Sequence, residues 1–385
     1  MADHDEHGGR PPQHVARLGP RGRVLAPDLA RGFMLLFIAL VNAQFFLTGS
    51  ETVTSVADRI VALTQSTLVT ARAIPLFSLL FGYGLVQLLR RLDHDGDGAA
   101  QARGLLRRRG AWMLIIGFVH GALLLPVDII GAYGLAVLVL VGLLRARDAT
   151  LLWCSGAVLA ASVALYVTAA LTLSPETGGA IAASSLEQQS YVLATVERAA
   201  EWVLYTPVTM LTIVLPPLLL GMWAGRRRVL EDPARHYALL VRTAVLGLGT
   251  AIVGGLPYAL VDARLWTDAP TRGTALLSAL HDITGWAGGL GWAALIALVA
   301  MAVERHRGRL TRAVEAVGQR SMTCYLTQSL VFVPIFAPYG AGLGESLSVS
   351  GAALVGACTW GLTVGLAGML GRLGYRGPAE SLVRR

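Results

Sequence analysis

Ten apolar segments, separated by stretches that alternately hold and lack arginine, constrain this chain more than any other feature. A helix needs about 20 apolar residues to cross the hydrocarbon core of a bilayer. The segments 24–47, 73–90, 109–126, 128–145, 149–173, 203–224, 237–261, 276–303, 321–338 and 350–371 meet or approach that length. Hydrocarbon offers a bare backbone no hydrogen bonds, so each segment must be helical. All 32 basic residues are arginine, and 25 of them fall in stretches that a chain with both ends inside would leave in the cytoplasm. Arg59, Arg72, Arg198, Arg264 and Arg272 fall in the opposite stretches, and Arg31 and Arg242 lie within segments. Cytoplasmic loops carry the basic excess, and moving the count by one helix would destroy the alternation. The expected fold is all-α, a polytopic transmembrane helical bundle of about ten helices with both termini cytoplasmic.

Composition excludes the soluble classes. The chain is 54% hydrophobic and 15% charged, with a mean hydropathy of +0.59, where a soluble domain carries about 25% charged residues. Residues 1–23 lack apolar periodicity and read as a disordered cytoplasmic tail. Residues 24–371 read as a single transmembrane domain, and 372–385 as a cytoplasmic C-terminal tail. The arginine clusters read as topology signals and contacts for anionic membrane lipids, with no nucleic-acid partner. Cys154, Cys324 and Cys358 stand singly and share no metal-ligand spacing, so no metal is expected. Asp93, Asp95, Asp97 and Gly98 match the start of a calcium loop, but Gly104 stands where a bidentate Glu is required, which leaves a solvated turn. The loop 174–202 is expected on the outer side, its second half as a helix on the surface, and residues 51–70 can do the same. Helix faces rich in small residues allow a homodimer without requiring one.

Polar residues inside such spans are costly and therefore informative. Asp28 and Arg31 are one turn apart near the cytoplasmic face and can pair, either as an anchor or as a site for an anionic ligand. Asn42, the only asparagine, lies about 16 Å further along the same helix. His120 lies in the outer half of its segment, and Asp128 follows a corner broken by Pro126. In a continuous helix the two would be about 12 Å apart, but a corner can fold the carboxylate back onto the imidazole. A carboxylate that fixes the tautomer of a neutral histidine makes it a competent general base. The bland alternative is a histidine bonded to a neighbouring helix and an aspartate that caps the next one. Gly117 and Gly121 fit close helix packing. His281 and Asp282 can border the same outer cavity. Thr323, Tyr325, Gln328 and Ser329 are polar over two turns of one helix and can line a path or bind a ligand, or act as ordinary interhelical hydrogen-bonders.

These motifs together carry a family resemblance. Asp28-Leu-Ala-Arg31-Gly32 with Val41-Asn42, Leu76-Phe77-Ser-Leu-Leu-Phe81-Gly82, His120-Gly121 with Asp128-Ile129, Gly318-Gln-Arg320-Ser-Met-Thr323-Cys-Tyr325-Leu-Thr-Gln328-Ser329 and Tyr375-Arg376-Gly377-Pro378-Ala-Glu380 resemble the YeiB-type bacterial membrane proteins, whose C-terminal half is a domain of unknown function. The similarity runs from about residue 24 to 385. More distantly it extends to transmembrane acyltransferases, including bacterial sugar O-acyltransferases and heparan-glucosaminide N-acetyltransferase. Sugar O-acyltransferases of this kind carry an Arg and a His eleven positions apart in the first helix; here Arg31 is followed at that distance by Asn42. The missing histidine leaves His120 as the deeply placed one.

The resemblance implies a multi-pass protein of the bacterial plasma membrane that takes an acyl group from cytosolic acyl-CoA to a small-molecule or glycan acceptor on the outer side. His120, Asp128 and Asn42 would be catalytic, and Arg31, Asp28, Tyr325 and Gln328 would hold the donor. A transporter or exporter with the same residues along a pathway, and a non-catalytic lipid-binding protein, remain the alternatives. No repeat is visible that would favour the transporter.

Overall fold

The computed structural model describes residues 25–49, 51–94, 99–172 and 184–384, and every regular element among them is helical. In chain order these are α1 (Leu25–Phe45), α2 (Val56–Leu68), α3 (Ala73–His94), α4 (Ala99–Leu123), α5 (Ile129–Leu140), α6 (Asp148–Thr172), α7 (Tyr191–Thr209), α8 (Leu215–Arg226), α9 (Tyr237–Asp262), α10 (Thr271–Val303), α11 (Arg309–Gln319), α12 (Ser321–Phe336), α13 (Val349–Arg372) and α14 (Pro378–Arg384). The stretches of α1, α2–α3, α6, α7–α8, α9, α10 and α13 are long and apolar enough to cross a membrane. α5 and α12 are shorter apolar helices, and α4 has an arginine-rich first half. Together they coincide with the ten apolar segments. The N-terminal tail and Asp95, Asp97 and Gly98 of the calcium-like turn lie outside the described residues.

Burial separates core from periphery. Nine of the 12 residues of α5 are buried, whereas α6 buries only Leu151, Ser155 and Ser162 along 25 residues. At 1.5 Å per residue α5 is about 18 Å long, too short to cross alone. It ends at Leu140, where the apolar segment had pointed to 145. The carbonyls of Leu144 and Ala146 bond the Arg226 guanidinium, so the chain leaves the helix without leaving those groups unsatisfied. α9 packs along α10, α3 along α8, and α1 against both α11 and α13. The α1–α11 approach needs glycine on both sides. A Cβ at Gly32 would lie 2.0 Å from the Val314 carbonyl oxygen, and one at Gly318 would lie 1.8 Å from that of Asp28. This packing joins the Asp28–Gly32 motif to the Gly318–Ser329 motif.

Three sequence expectations change. Residues 309–319, part of a basic loop by sequence, form the amphipathic helix α11 beneath α1 and α13. The end of the outer loop does not stop as a separate surface helix. α7 runs through a π-helical turn, Met210–Val214, into α8, where Pro207, Pro216 and Pro217 remove the backbone donors that a regular ladder would use. The C-terminal segment is no tail, because α14 packs against α4 and α12.

Candidate active site

The chain between α4 and α5 turns at Pro126 and brings Asp128 to the N-cap of α5, where its Oδ2 accepts the Gly131 N–H at 2.5 Å. The cap fixes the carboxylate. Its other oxygen, Oδ1, lies 2.9 Å from His120 Nδ1. His120 Nε2 lies in turn 2.9 Å from Ser329 Oγ on α12. An ionised carboxylate only accepts hydrogen bonds. The proton of a neutral imidazole therefore sits on Nδ1, and Nε2 accepts the Ser329 hydroxyl. All three side chains are buried. Gly117 and Gly121 permit this approach: a Cβ at 117 would meet Asp128, and one at 121 would meet Trp202.

On the far side of Tyr325 and Ile129 from these residues lies a cavity of about 260 Å³. Phe77, Phe81 and Tyr133 form one apolar wall, with both phenylalanines stacked on Tyr133 at 4.9 and 4.8 Å between centroids. Arg31, Arg109 and Glu380 bring charge to it, and Ile129 and Tyr325 line it too. Arg109 precedes His120 by eleven residues on α4, about 16 Å along the axis. The cavity thus reaches from the arginine level of the bundle to the level of the α5 cap. Arg31 is held there by Asp28 Oδ1 at 3.1 Å and donates to the Leu80 carbonyl at 3.4 Å.

A second, smaller cavity of about 70 Å³ lies beside Asn42, Val41 and Val127. Ile129 and Tyr325 line both cavities. Tyr325 is buried, its ring centroid is 5.1 Å from that of His120, and its hydroxyl makes no hydrogen bond of good geometry. It separates the arginine-lined cavity from the Asn42 cavity and stands beside the histidine.

Of the residues singled out by sequence, Arg31 lines the larger cavity, Asn42 the smaller and Tyr325 both, while His120 and Asp128 line neither and stand behind Tyr325 and Ile129. Asp28 acts through Arg31. Gln328 sits apart from both, fully buried, and donates to the Leu35 carbonyl at 3.1 Å, tying α12 to α1. His281 also lies elsewhere. It contacts Arg72 Nη1 at 2.6 Å and the Ser66 carbonyl at 2.8 Å, in a cluster that holds the break between α2 and α3. It lines neither cavity: its Nε2 lies against both the Arg72 guanidinium and the Ser66 carbonyl, and its Nδ1 beside Asp282, among the polar partners that a buried guanidinium requires. Sequence reasoning missed Arg109 and Tyr133. Arg109 was absorbed into a topology signal, and Tyr133 looks like one more apolar position of α5. Among the described residues no group of His, Cys, Asp and Glu is placed to hold a metal ion.

The C-terminal segment completes the site. Glu380 accepts the N–H groups of Met322 and Thr323 and the Thr323 hydroxyl, so it caps α12 from 57 positions further along the chain. Arg320 donates to the Tyr375 carbonyl through both Nε and Nη2.

Residues 224–385, which hold α12, α14 and the Glu380 cap, match the family model described as "Protein of unknown function (DUF418)". The chain is also 26% identical over 358 residues to "Uncharacterized protein YxaH" of Bacillus subtilis (strain 168), covering 83% of each. A shorter likeness, 35% identical over 98 residues, is to "Uncharacterized 39.9 kDa protein in amylase 3'region" of Bacillus acidopullulyticus, covering 26% of this chain and 28% of that one. These findings agree with the YeiB-type resemblance of the sequence motifs. The matched residues include Tyr325, Ser329 and Glu380, while Arg31, Asn42, His120 and Asp128 come from the part before them.

Proposed function

We propose that this membrane protein is an acyltransferase of the bacterial plasma membrane, moving an acyl group from cytosolic acyl-CoA to a small-molecule or glycan acceptor on the outer side. The observation that carries the reading is the chain Asp128–His120–Ser329, set behind Tyr325 from a cavity with largely apolar walls that is charged by Arg31, Arg109 and Glu380. An acyl-CoA has matching halves: anionic phosphates, and a slender arm ending in a thioester and an apolar chain. Arginine suits the phosphates because its planar fork pairs with their oxygens. The aromatic wall suits the apolar part.

His120 would accept the proton of the attacking hydroxyl, with Asp128 stabilising the resulting imidazolium. Asn42, in the adjoining cavity, would donate a hydrogen bond to the oxyanion that develops on the carbonyl. Acceptor entry from the Asn42 side and donor entry from the arginine side would fit the expected orientation, with arginines towards the cytoplasm.

A second reading, a transport pathway, draws on the two cavities that meet at Tyr325. One experiment separates them. Purified protein in nanodiscs is assayed for acyl-CoA binding and CoA release across acyl lengths, with Arg31→Ala and His120→Ala alongside. Saturable binding weakened in Arg31→Ala, with CoA release lost in His120→Ala, supports the enzyme. Absence of binding at every chain length, with substrate flux in vesicles, replaces it by the transporter.

A further inference from the structure

Serine in an apolar helix ordinarily gives its hydroxyl to a carbonyl of its own helix one turn back, as Ser78 and Ser162 do here. Ser329 does otherwise. Its Oγ faces His120 Nε2 at 2.9 Å across 209 positions of sequence, and the imidazole is held from behind by Asp128. Nucleophile, base and orienting carboxylate stand in the order that activates a serine. Each comes from a different part of the bundle: α12, α4 and the cap of α5.

The cavities bear on the same point. Donor and acceptor spaces are distinct, with Ile129 and Tyr325 as common walls. Tyr325 and Ser329 are i and i+4 on α12 and share a face of it. A group parked on Ser329 would therefore stand beside the residue that divides the two spaces. A covalent relay removes the need for donor and acceptor to occupy one chamber together.

We infer that Ser329 is the nucleophile and that transfer runs through an acyl-serine. This rests on the acyltransferase reading above. Ser329 Oγ attacks the thioester carbonyl carbon while its proton passes to His120 Nε2. The C–S bond breaks, and His120 returns the proton to the departing sulfur, leaving the CoA thiol and an ester on Ser329. The acceptor hydroxyl then gives its proton to His120 and attacks the ester carbonyl. The bond to Ser329 Oγ breaks, and the proton returns to that oxygen.

The test uses the full chain in nanodiscs with two probes, radiolabelled acyl-CoA of short, medium and long chain and a fluorophosphonate that traps activated serines. The expected result is an adduct of either probe mapped to Ser329, absent in Ser329→Ala and reduced at least roughly 100-fold in His120→Ala. In Ser329→Cys the acyl adduct should reappear as a hydroxylamine-labile thioester, which shows that the helix still folds. CoA release that persists in Ser329→Ala without any adduct overturns the nucleophile and leaves the acyltransferase standing with direct transfer. A fluorophosphonate adduct on Ser329 without acyl-CoA turnover supports the activated serine and overturns acyl-CoA as its donor. Neither adduct nor turnover at any chain length overturns both.

Discussion

Glu380, five residues from the C-terminus, accepts the Thr323 hydroxyl at 2.5 Å and so fastens the last helix of the chain to the start of the helix that carries Ser329. Its other oxygen takes the Met322 and Thr323 amides, donors that the first turn of α12 would otherwise leave without partners. Val383, three residues on, lines the larger cavity with it. The end of the chain is thus part of the site and its support.

Removing that cap tests the relationship. Glu380→Ala should lower the stability of the detergent-solubilised protein by about 1–2 kcal/mol, the usual effect of losing an N-cap. Glu380→Gln, which keeps one acceptor oxygen, should lose less. Thermal unfolding of the two variants checks this, and identical melting temperatures for both and for wild type would make the C-terminal helix a bystander.

Asp128 serves two partners, and two substitutions separate them. Asn is as good an N-cap as Asp, so Asp128→Asn should keep the bond to Gly131 and lose less stability than Asp128→Ala, although its NH2 then faces His120 Nδ1. Acyl transfer should nevertheless fall steeply, because the amide no longer stabilises a charged imidazolium. Asp128→Ala should lose both stability and turnover. Equal turnover in Asn and wild type would remove the carboxylate from the chemistry.

Arg31, Asn42 and His120 are assigned different tasks and should fail differently. Arg31→Ala should raise KM for acyl-CoA with a smaller change in kcat, since it acts on a part of the donor that does not react. His120→Ala should lower kcat by roughly 100-fold or more. Asn42→Ala should be milder than His120→Ala. Steady-state kinetics on the three variants decides the order, and a reversal between Asn42 and His120 would relocate the site.

The glycine contact between α1 and α11 should tolerate no side chain. Gly318→Ala places a methyl group against the Asp28 backbone and should destabilise by about 1–3 kcal/mol. It should also disturb Arg31, one turn along the same helix. Gly104→Ala, where nothing lies within 4 Å, is the control and should be neutral or slightly stabilising, as Ala favours a helix over Gly. Unfolding curves of both variants provide the comparison.

Much of the site was legible in the order of its residues, and its assembly was not. His120 and Asp128 are eight apart across a proline corner, so their meeting followed from local geometry. The contact of His120 with Ser329 spans 209 positions, and no periodicity announces it. In a soluble helix an apolar stripe tells which face meets a partner. In α5, α6 and α9 nearly every position is apolar, so the pattern says that a helix is in the membrane and nothing about what it touches. Tyr133 is hidden for that reason, Arg109 reads as one of a loop's basic residues, and His281 lines neither cavity.

The sequence by itself determined the class of structure, an all-helical bundle with helices long and apolar enough to cross a membrane. Hydrocarbon forces each long apolar run to satisfy its own backbone, and the alternation of the arginines sets the expected orientation. These are one-dimensional constraints, settled by length and composition. Only the tertiary structure decided that α14 returns to cap α12, that Gln328 braces α1, and that Tyr325 divides one cavity from another. Those outcomes depend on which side chains interlock across helices, through glycine-sized gaps and paired polar groups, and such complementarity exists only once the helices are packed.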